Sequence, residues 1–484
     1  MLHSLAAFVG KGQLVSKLTA HWMRRMLANG KPAYLAIADL IAEDMQSGRL
    51  SARDRLPPLR ELAADLALNY TTVARAYAEA RRRGLIDGKA GQGSYIRGSA
   101  PSLPLRGGSG LEMTMNMPPE PDDAVLIERL RNAAATLFQG SDPYQLLRYQ
   151  DFGGSPADRA AGAHWLSKRL PNVDPERILV CPGAHAALTA MFSMLAKAGD
   201  LICVESLTYP GVKAIAAQLG IKLHALSLDD EGPSAMEFET ACKHLSPKAL
   251  YCNPTLLNPT SQTVSPRRRE ALAEIALQYS VPIIEDDAYA MLPREQITPM
   301  AALAPELTYY LCGLAKSFGA GLRTAYVASP DTRRAQRLSG ALRATTVMAS
   351  QVTTVLATQW ISDGTADMML DAIREECEAR VQMAERHFKG QSFLSHPQSF
   401  HLWLPLTPPW SSVEFASYLR SQGVGVVASA AFATDANPPE AVRICLGGPL
   451  SRSECDVALA LIADTLGHPL HPHVTVAPRE RRAA

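Results

Sequence analysis

From residue 31 the chain alternates apolar and polar positions with a helical period. Tyr34, Ile37, Ile41 and Met45 fall on one face, and Gly48 is placed to end that helix. Leu59, Leu62, Ala63 and Leu66 mark a second, shorter helix. Asn69 stands as an N-cap ahead of a third, on which Val73, Ala76, Tyr77 and Ala80 share a face. Two short helices joined by a tight turn match a helix-turn-helix. Burial of Val73, Ala76 and Tyr77 turns Tyr70, Thr71, Thr72 and Arg75 outward near the start of the third helix. Those residue types can meet base edges and phosphates in a major groove. LIDGKAGQGSYI (85–96) then predicts a β-hairpin whose glycines permit the turn.

Residues 99–123, SAPSLPLRGGSGLEMTMNMPPEPDD, are rich in Pro, Gly and Ser and carry no helical period, which predicts a tether. Beyond it, short apolar runs alternate with longer helical patterns. RILVC (177–181) is followed by a helical stretch over 184–197 and then DLICVE (200–205), and IKLHAL, KALYC and VPIIED continue the alternation. That order predicts an α/β fold with a mostly parallel, helix-covered sheet. A long helical region (348–390) precedes FHLWLPL, VGVVAS and VRICL, which predict a smaller C-terminal α/β subdomain. The expected organisation is an extension (1–30), a helix-turn-helix head (31–98), a tether (99–123), a large domain (124–345), a small subdomain (346–468) and a tail (469–484).

Composition adds limits. The 484 residues are 47% hydrophobic and 20% charged, with a net charge of +1. No global basic excess announces nucleic acid, so such a partner must be argued locally. Residues 31–97 hold 11 Lys/Arg against 8 Asp/Glu, and Arg81, Arg82 and Arg83 form a basic helix end. No apolar run approaches the ~20 residues of a spanning helix, so no membrane partner is expected. The N-terminus lacks a basic n-region and a clear small-residue cleavage site, which argues against secretion. The eight cysteines are scattered singly. Cys181, Cys203, Cys252 and Cys312 read as buried small hydrophobes of a cytoplasmic protein. Residues 1–30 allow three readings: a docking helix, a tail, or a start codon placed too early, with Met23 or Met26 as later candidates.

The chemistry concentrates in Tyr309–Val327. Lys316 sits among small residues between two strand-like runs, and Arg323 follows seven positions later. A lysine that forms an imine must lose its proton easily, and burial among Leu314, Ala315 and Phe318 favours that loss. Arg323 supplies fixed charge for an anionic cofactor. The alternatives are a buried lysine paired structurally and one near the surface with a solvated head.

Four further segments bear on the choice. Pro182-Gly183-Ala184-His185 opens a helix after a strand, where free N–H groups suit a phosphate. SLTYPG offers Tyr209 to stack on a ring. NPTLLNPTSQT (253–263) offers the Asn258 amide to a phenolate oxygen. VPIIEDDAYAML ends a strand in acids, where a carboxylate can keep a pyridine nitrogen protonated and make the ring an electron sink. Strand-end acids also bind metals, but no further His or carboxylate cluster completes a metal set.

With these residues in place, segment 31–97 resembles the GntR-type winged helix through RLPPLRELA and GQGSYI. The resemblance implies that Arg60, Thr71, Thr72, Arg75 and Gly93 contact double-stranded DNA, with Pro58 departing from the small polar residue common there. The downstream segments together resemble the aminotransferase class I family, a fold type I pyridoxal 5'-phosphate architecture, over 124–468. That resemblance implies an imine between Lys316 and the cofactor, with Asp286 pairing with the pyridinium. Tyr289 and Asn258 would bind the ring oxygen, and Gly183, Ala184, His185 and Arg323 the phosphate. Tyr209 would stack on the ring, and Tyr149, in LLRYQDFGG, would reach the phosphate across a dimer interface. Arg443, in AVRICLGG, would clamp a substrate carboxylate. Ala315 and Gly313 replace common serines, Ser261 a glycine and Ala320 a proline. The fusion resembles the MocR subfamily of GntR regulators. It implies a head-to-tail, domain-swapped homodimer that senses an amino compound or the cofactor itself, with a catalytically active aminotransferase as the alternative.

Overall fold

In the head, α1 (Ala33–Gln46), α2 (Leu59–Asp65) and α3 (Tyr70–Arg82) follow the apolar periodicity. Ile37, Ile41, Leu62, Val73, Ala76 and Tyr77 are its buried centre. The Asn69 side chain accepts from the Thr71 backbone N–H at 3.2 Å, which satisfies an otherwise orphaned donor and starts α3. The Tyr77 hydroxyl donates to the Pro57 carbonyl at 2.8 Å, tying the turn before α2 to α3. Strands β1 (Ile86–Lys89) and β2 (Gly93–Ile96) pair antiparallel as the wing. Arg82 and Arg83 pair with Glu79, and Arg83 also reaches Asp39 at 2.6 Å, so part of the basic helix end fastens α3 to α1. This computed structural model describes residues 21–23, 25, 32–46, 49–50, 54–83, 85–89, 93–96, 111–139, 142–435 and 437–467. The stop expected at Gly48 lies outside them.

The head's upstream boundary is not at residue 31. Trp22 is fully buried in the same core, and its indole N–H donates to Asp44 Oδ2 at 2.7 Å. Arg25 pairs with Glu43 at 2.6 Å on the same side of α1. Periodicity missed this because a single tryptophan supplies most of the contact. Trp22→Ala is expected to weaken folding of the head by about 3–5 kcal/mol, the usual effect of emptying a buried tryptophan site. Urea unfolding of the full chain, followed by circular dichroism, measures it.

The chain divides into two units between Gly108 and Ser109. In the second, β3 (Leu111–Glu112) comes first, followed by β4 (Ile178–Cys181), β5 (Leu201–Glu205) and β6 (Lys222–Leu226). A short hairpin, β7 (Leu228–Asp229) and β8 (Gly232–Pro233), leads to β9 (Ala249–Cys252) and β10 (Ile283–Asp286). Then come β11 (Thr308–Gly313) and β12 (Ala325–Ala328). Seven of these form one sheet in the order β4-β12-β11-β10-β9-β5-β6, parallel except for β12. Strands β4, β9, β10 and β11 are buried throughout because helices cover both faces, hence their unbroken apolar runs. Since β12 opposes both its neighbours, β4 runs with the other strands. The C-terminal ends of β4, β5, β9, β10 and β11 therefore share one edge.

The smaller subdomain holds β13 (His401–Pro405), β14 (Val424–Gly425), β15 (Val427–Ala428) and β16 (Ala441–Cys445). Its sheet runs β13-β16-β15. The helical region before it splits at Gly364, whose φ of +80° ends one helix and opens Thr365–His387.

The expected tether needs correction. Residues 99–110 lie outside the described residues, but 111–119 are built into this subdomain. Strand β3 pairs parallel with β14, Cys445 N–H donates to Met113 O at 2.9 Å, and Gly448 N–H donates to Pro118 O at 3.0 Å. Met113 is fully buried in the subdomain's core. All eight cysteines are buried and free. No helix among the described residues is long and apolar enough to cross a membrane.

Candidate functional site

Five strands deliver side chains to the common edge. After β11 the chain makes a 3-10 turn over Leu314–Lys316, which presents the partly buried Lys316. Its amine donates to the backbone carbonyl of Asn116. Burial first, and the nearby Arg443 second, pull the Lys316 ammonium down to about 8, within reach of the neutral, nucleophilic form. The amine also lies 5.6 Å from the Tyr289 ring and 6.0 Å from that of Phe400.

Asp286 ends β10 and is buried. Tyr251 donates to its Oδ2 at 2.9 Å, while Oδ1 has no partner among the described residues. Burial pushes this carboxyl up to about 7 against the opposing Tyr251 hydrogen bond, and neighbouring Asp287 adds to the rise. A buried carboxylate oxygen without a donor is costly and suits a cationic N–H. Asn253, beyond β9, locks the strand end by donating to the Asp286 carbonyl at 2.6 Å.

The anion-facing side is built on the β4 turn. Gly183 has φ +84°, and a Cβ there would stand 3.4 Å from the Arg323 guanidinium, so arginine and glycine lie face to face. Helix Ala184–Leu195 begins at that glycine without a side-chain cap. Arg323 is exposed and makes no hydrogen bond or ion pair among the described residues. Burial, and then the Arg323 charge, hold the His185 imidazole below its ordinary range. Free N–H groups at a helix start beside an unpaired guanidinium make an anion cradle. Tyr209 stands half-buried at the head of helix Pro210–Leu219.

Arg443, on β16, is not open to solvent. It donates to Asn258 Oδ1 at 2.7 Å and to the Thr114 carbonyl at 2.5 Å, with its Nε unpartnered. The Asn258 amide oxygen thereby faces Arg443. Asn258 belongs to a loop in which two non-glycine residues, Leu256 and Ser261, have positive φ. The strain at Ser261, where glycine is common in the resembling family, is offset by its hydroxyl donating to the His401 carbonyl at 2.8 Å. Tyr289 is buried and accepts from Asn116 Nδ2 at 2.8 Å, and burial raises its phenol well above the ordinary value. Tyr149 is 81% exposed and bonds to none of these residues.

In the head, Arg60 and Thr71 are exposed and Thr72 is half-buried. Arg75 is exposed too, with its guanidinium stacked 4.5 Å over the Tyr34 ring. Gly93 opens β2.

Thus Lys316, Asp286, Tyr289, Asn258, Arg443, Tyr209, Gly183, Ala184, His185 and Arg323 converge on one edge. Tyr149 does not join them within the chain. Sequence reasoning missed Asn116, Thr114, Tyr251, Asn253 and His401. His401 packs 5.3 Å from the Tyr289 ring, and burial drives it down to about 3, so it stays neutral beside Lys316. Asn253 was within reach, being the first residue of the NPT run. Thr114 and Asn116 were hidden in what read as tether.

Comparison with known proteins places both units of the chain in known families. The aminotransferase class I and II profile matches residues 111–462, and the profile of bacterial regulatory proteins of the gntR family matches 33–96. An uncharacterized HTH-type transcriptional regulator, YdeF of Bacillus subtilis, is 28% identical over 89% of this chain and 94% of its own. The vitamin B6 salvage pathway transcriptional repressor PtsJ of Salmonella typhimurium is 28% identical over 91% of this chain and 100% of its own. An archaeal alanine:glyoxylate aminotransferase shares the fold with a TM-score of 0.68 at 24% identity, covering 75% of this chain and 92% of its own. The chain belongs to the aminotransferase class I and II family and carries that domain behind a GntR-type head, the architecture of the MocR subfamily.

Proposed function

We propose that this chain is a DNA-binding transcriptional regulator whose aminotransferase-like unit binds pyridoxal 5'-phosphate and responds to an amino compound. One observation carries it. The same chain holds a helix-turn-helix with Thr71 and Arg75 exposed and a partly buried, readily deprotonated lysine close to an unpartnered carboxylate oxygen. Relatives named as regulators over nearly their full length support the reading.

The residues fit the cofactor. Asp286 Oδ1 lacks a donor and would take the ring N–H, while Tyr289 and Asn258 would hold the phenolate oxygen. Gly183, Ala184, His185 and Arg323 would hold the phosphate, and Tyr209 would cover the ring. When bound, the cofactor supplies an electrophilic carbonyl and an electron sink. Lys316 contributes an amine that is about half neutral near pH 8, and Arg443 a guanidinium able to take a carboxylate bidentately. Tyr149, exposed in the single chain, would complete the phosphate site of a second copy in a homodimer.

Arg75→Ala tests the DNA-binding half. It is expected to weaken binding of the full chain to its own upstream DNA by about tenfold or more, as for loss of one direct contact. The salt dependence should flatten while the cofactor's absorbance stays unchanged. Unaltered DNA affinity would remove α3 from the interface.

The depressed Lys316 also favours a second reading, a working aminotransferase with a DNA-binding head. Multiple turnovers with an amino acid and an oxo-acid acceptor would establish it, and a single half-reaction would not.

A further inference from the structure

A cavity of about 250 Å³ opens at the other end of the central sheet. Leu170, Ala301, Ala302, Ala328 and the Tyr310 ring form its apolar floor. Thr308 opens β11, Arg177 directly precedes β4 and Ala328 closes the antiparallel β12, so the cavity sits at the sheet edge opposite Lys316. Three alanines stand where longer side chains would fill the space. A dry cavity of about 150 Å³ already holds a benzene-sized molecule. The polar groups around the floor are engaged within the chain, with one exception. The Thr308 hydroxyl donates to Ala304 O at 2.8 Å, and Asp174 accepts from Glu176 N–H at 2.9 Å to start a 3-10 turn. Arg177 is the exception. Its Nε donates to Ser329 O at 2.8 Å, which fixes the guanidinium plane. Its two terminal nitrogens have no partner among the described residues, and no ion pair joins it to Asp174 there. A planar fork held at one edge and unspent at the other suits a carboxylate.

We infer that this cavity is a second ligand site, separate from the one at Lys316, for a small monocarboxylate with a compact apolar body. The floor takes the body out of water, and the Arg177 fork takes the carboxylate at the rim. The Asp174 charge at the same rim disfavours a second carboxylate. Two walls carry the occupant's effect toward the other edge of the sheet. Tyr310, whose ring lies on the floor, donates its hydroxyl to Asp287 Oδ2 at 3.0 Å. Arg169, immediately before Leu170, pairs with the same oxygen at 3.2 Å. Asp287 is fully buried and adjoins Asp286. Filling the cavity therefore restrains both groups that hold Asp287. Any change this makes to cofactor affinity at Asp286 returns as an equal change in affinity for the carboxylate. That linkage, unlike the site itself, rests on the proposed cofactor binding.

Isothermal titration calorimetry of the full chain with benzoate, and with benzamide as its neutral isostere, tests the site. Benzoate is expected to bind saturably, and benzamide about tenfold more weakly. Arg177→Gln should weaken benzoate by about tenfold and leave benzamide unchanged, the loss of one charge-assisted contact. Arg443→Gln should leave benzoate binding intact, because that arginine serves the opposite edge. Ala302→Phe, at a half-buried position, should fill the cavity and remove both ligands. No benzoate binding to the wild-type chain, or equal binding of benzamide, overturns the inference. So does benzoate binding that survives Arg177→Gln and is lost in Arg443→Gln, since benzoate then occupies the site at Lys316. Should Arg443→Gln or Ala302→Phe not fold, Arg177→Gln decides alone, and undiminished benzoate binding in it overturns the site. The linkage is read by titrating pyridoxal 5'-phosphate with and without saturating benzoate. A change in its affinity of about fivefold is expected in the wild-type chain and none in Arg177→Gln. An unchanged wild-type affinity, or a change that persists in Arg177→Gln, overturns the linkage. Failure of pyridoxal 5'-phosphate to bind at all would overturn the cofactor reading and leave the benzoate result standing.

Discussion

Lys316→Ala is expected to leave the chain folded and able to bind DNA but unable to take up pyridoxal 5'-phosphate covalently. In the wild-type chain, borohydride reduction after cofactor addition should fix the cofactor on Lys316, seen as a mass increase on one peptide. In the variant that increase should be absent, and ligand should no longer alter DNA affinity. If ligand still shifts DNA affinity, sensing does not run through this lysine. The pH dependence carries a sign. Burial and the Arg443 charge bring Lys316 from an ordinary 10.5 down to about 8. Only the neutral amine attacks a carbonyl, so uptake should accelerate as pH rises and level off above about 8. An exposed lysine would keep accelerating toward 10.5. A rate still climbing at pH 10 would show that the amine is solvated like any other.

Asp286→Asn should weaken cofactor binding by more than about a hundredfold, the effect of removing one partner of a buried charge pair at about 3 kcal/mol. The argument lies in the two oxygens. Oδ2 is already satisfied by Tyr251 at 2.9 Å, and Oδ1 is aimed at nothing in the chain. Burial, with the neighbouring Asp287 charge, raises the carboxyl to about 7, so a cation placed on Oδ1 recovers its ionised form at neutral pH. An asparagine keeps the shape and loses the charge. Absorbance titration with pyridoxal 5'-phosphate reads the affinity, and circular dichroism checks the fold. Retained affinity would move the ring nitrogen's partner elsewhere, with Glu205 excluded as a candidate by its bonds to Asn253 and Thr208.

Much of this was legible in the chain. The head's three helices follow from apolar spacing, and Asn69 caps where a short polar side chain before an apolar run should. The central sheet's unbroken apolar strands announce burial on both faces. Strand-end residues follow, since a parallel sheet collects its C-terminal loops at one edge. What was not legible had few residues to signal it. Trp22 joins the head's core as a single side chain, without a period to reveal it. The 111–119 strap pairs through a two-residue strand and isolated hydrogen bonds, so its Pro-rich composition reads as tether. The antiparallel direction of β12 also escapes, because a tight return and a crossover leave similar strand patterns.

The sequence by itself determined that a winged helix precedes an aminotransferase-type domain, and it singled out Lys316, Asp286 and Arg443 as the candidate chemical groups. Those conclusions rest on residue type and chain order, which local propensity and strand-end placement convert directly into position. Only the tertiary structure decided what each group touches. Arg443 is engaged by Asn258 and Thr114, Asp286 keeps one oxygen free, and Lys316 meets the carbonyl of Asn116. These contacts join residues as far as 329 positions apart, and no local pattern encodes a distance closed only by packing the strap, sheet and subdomain together.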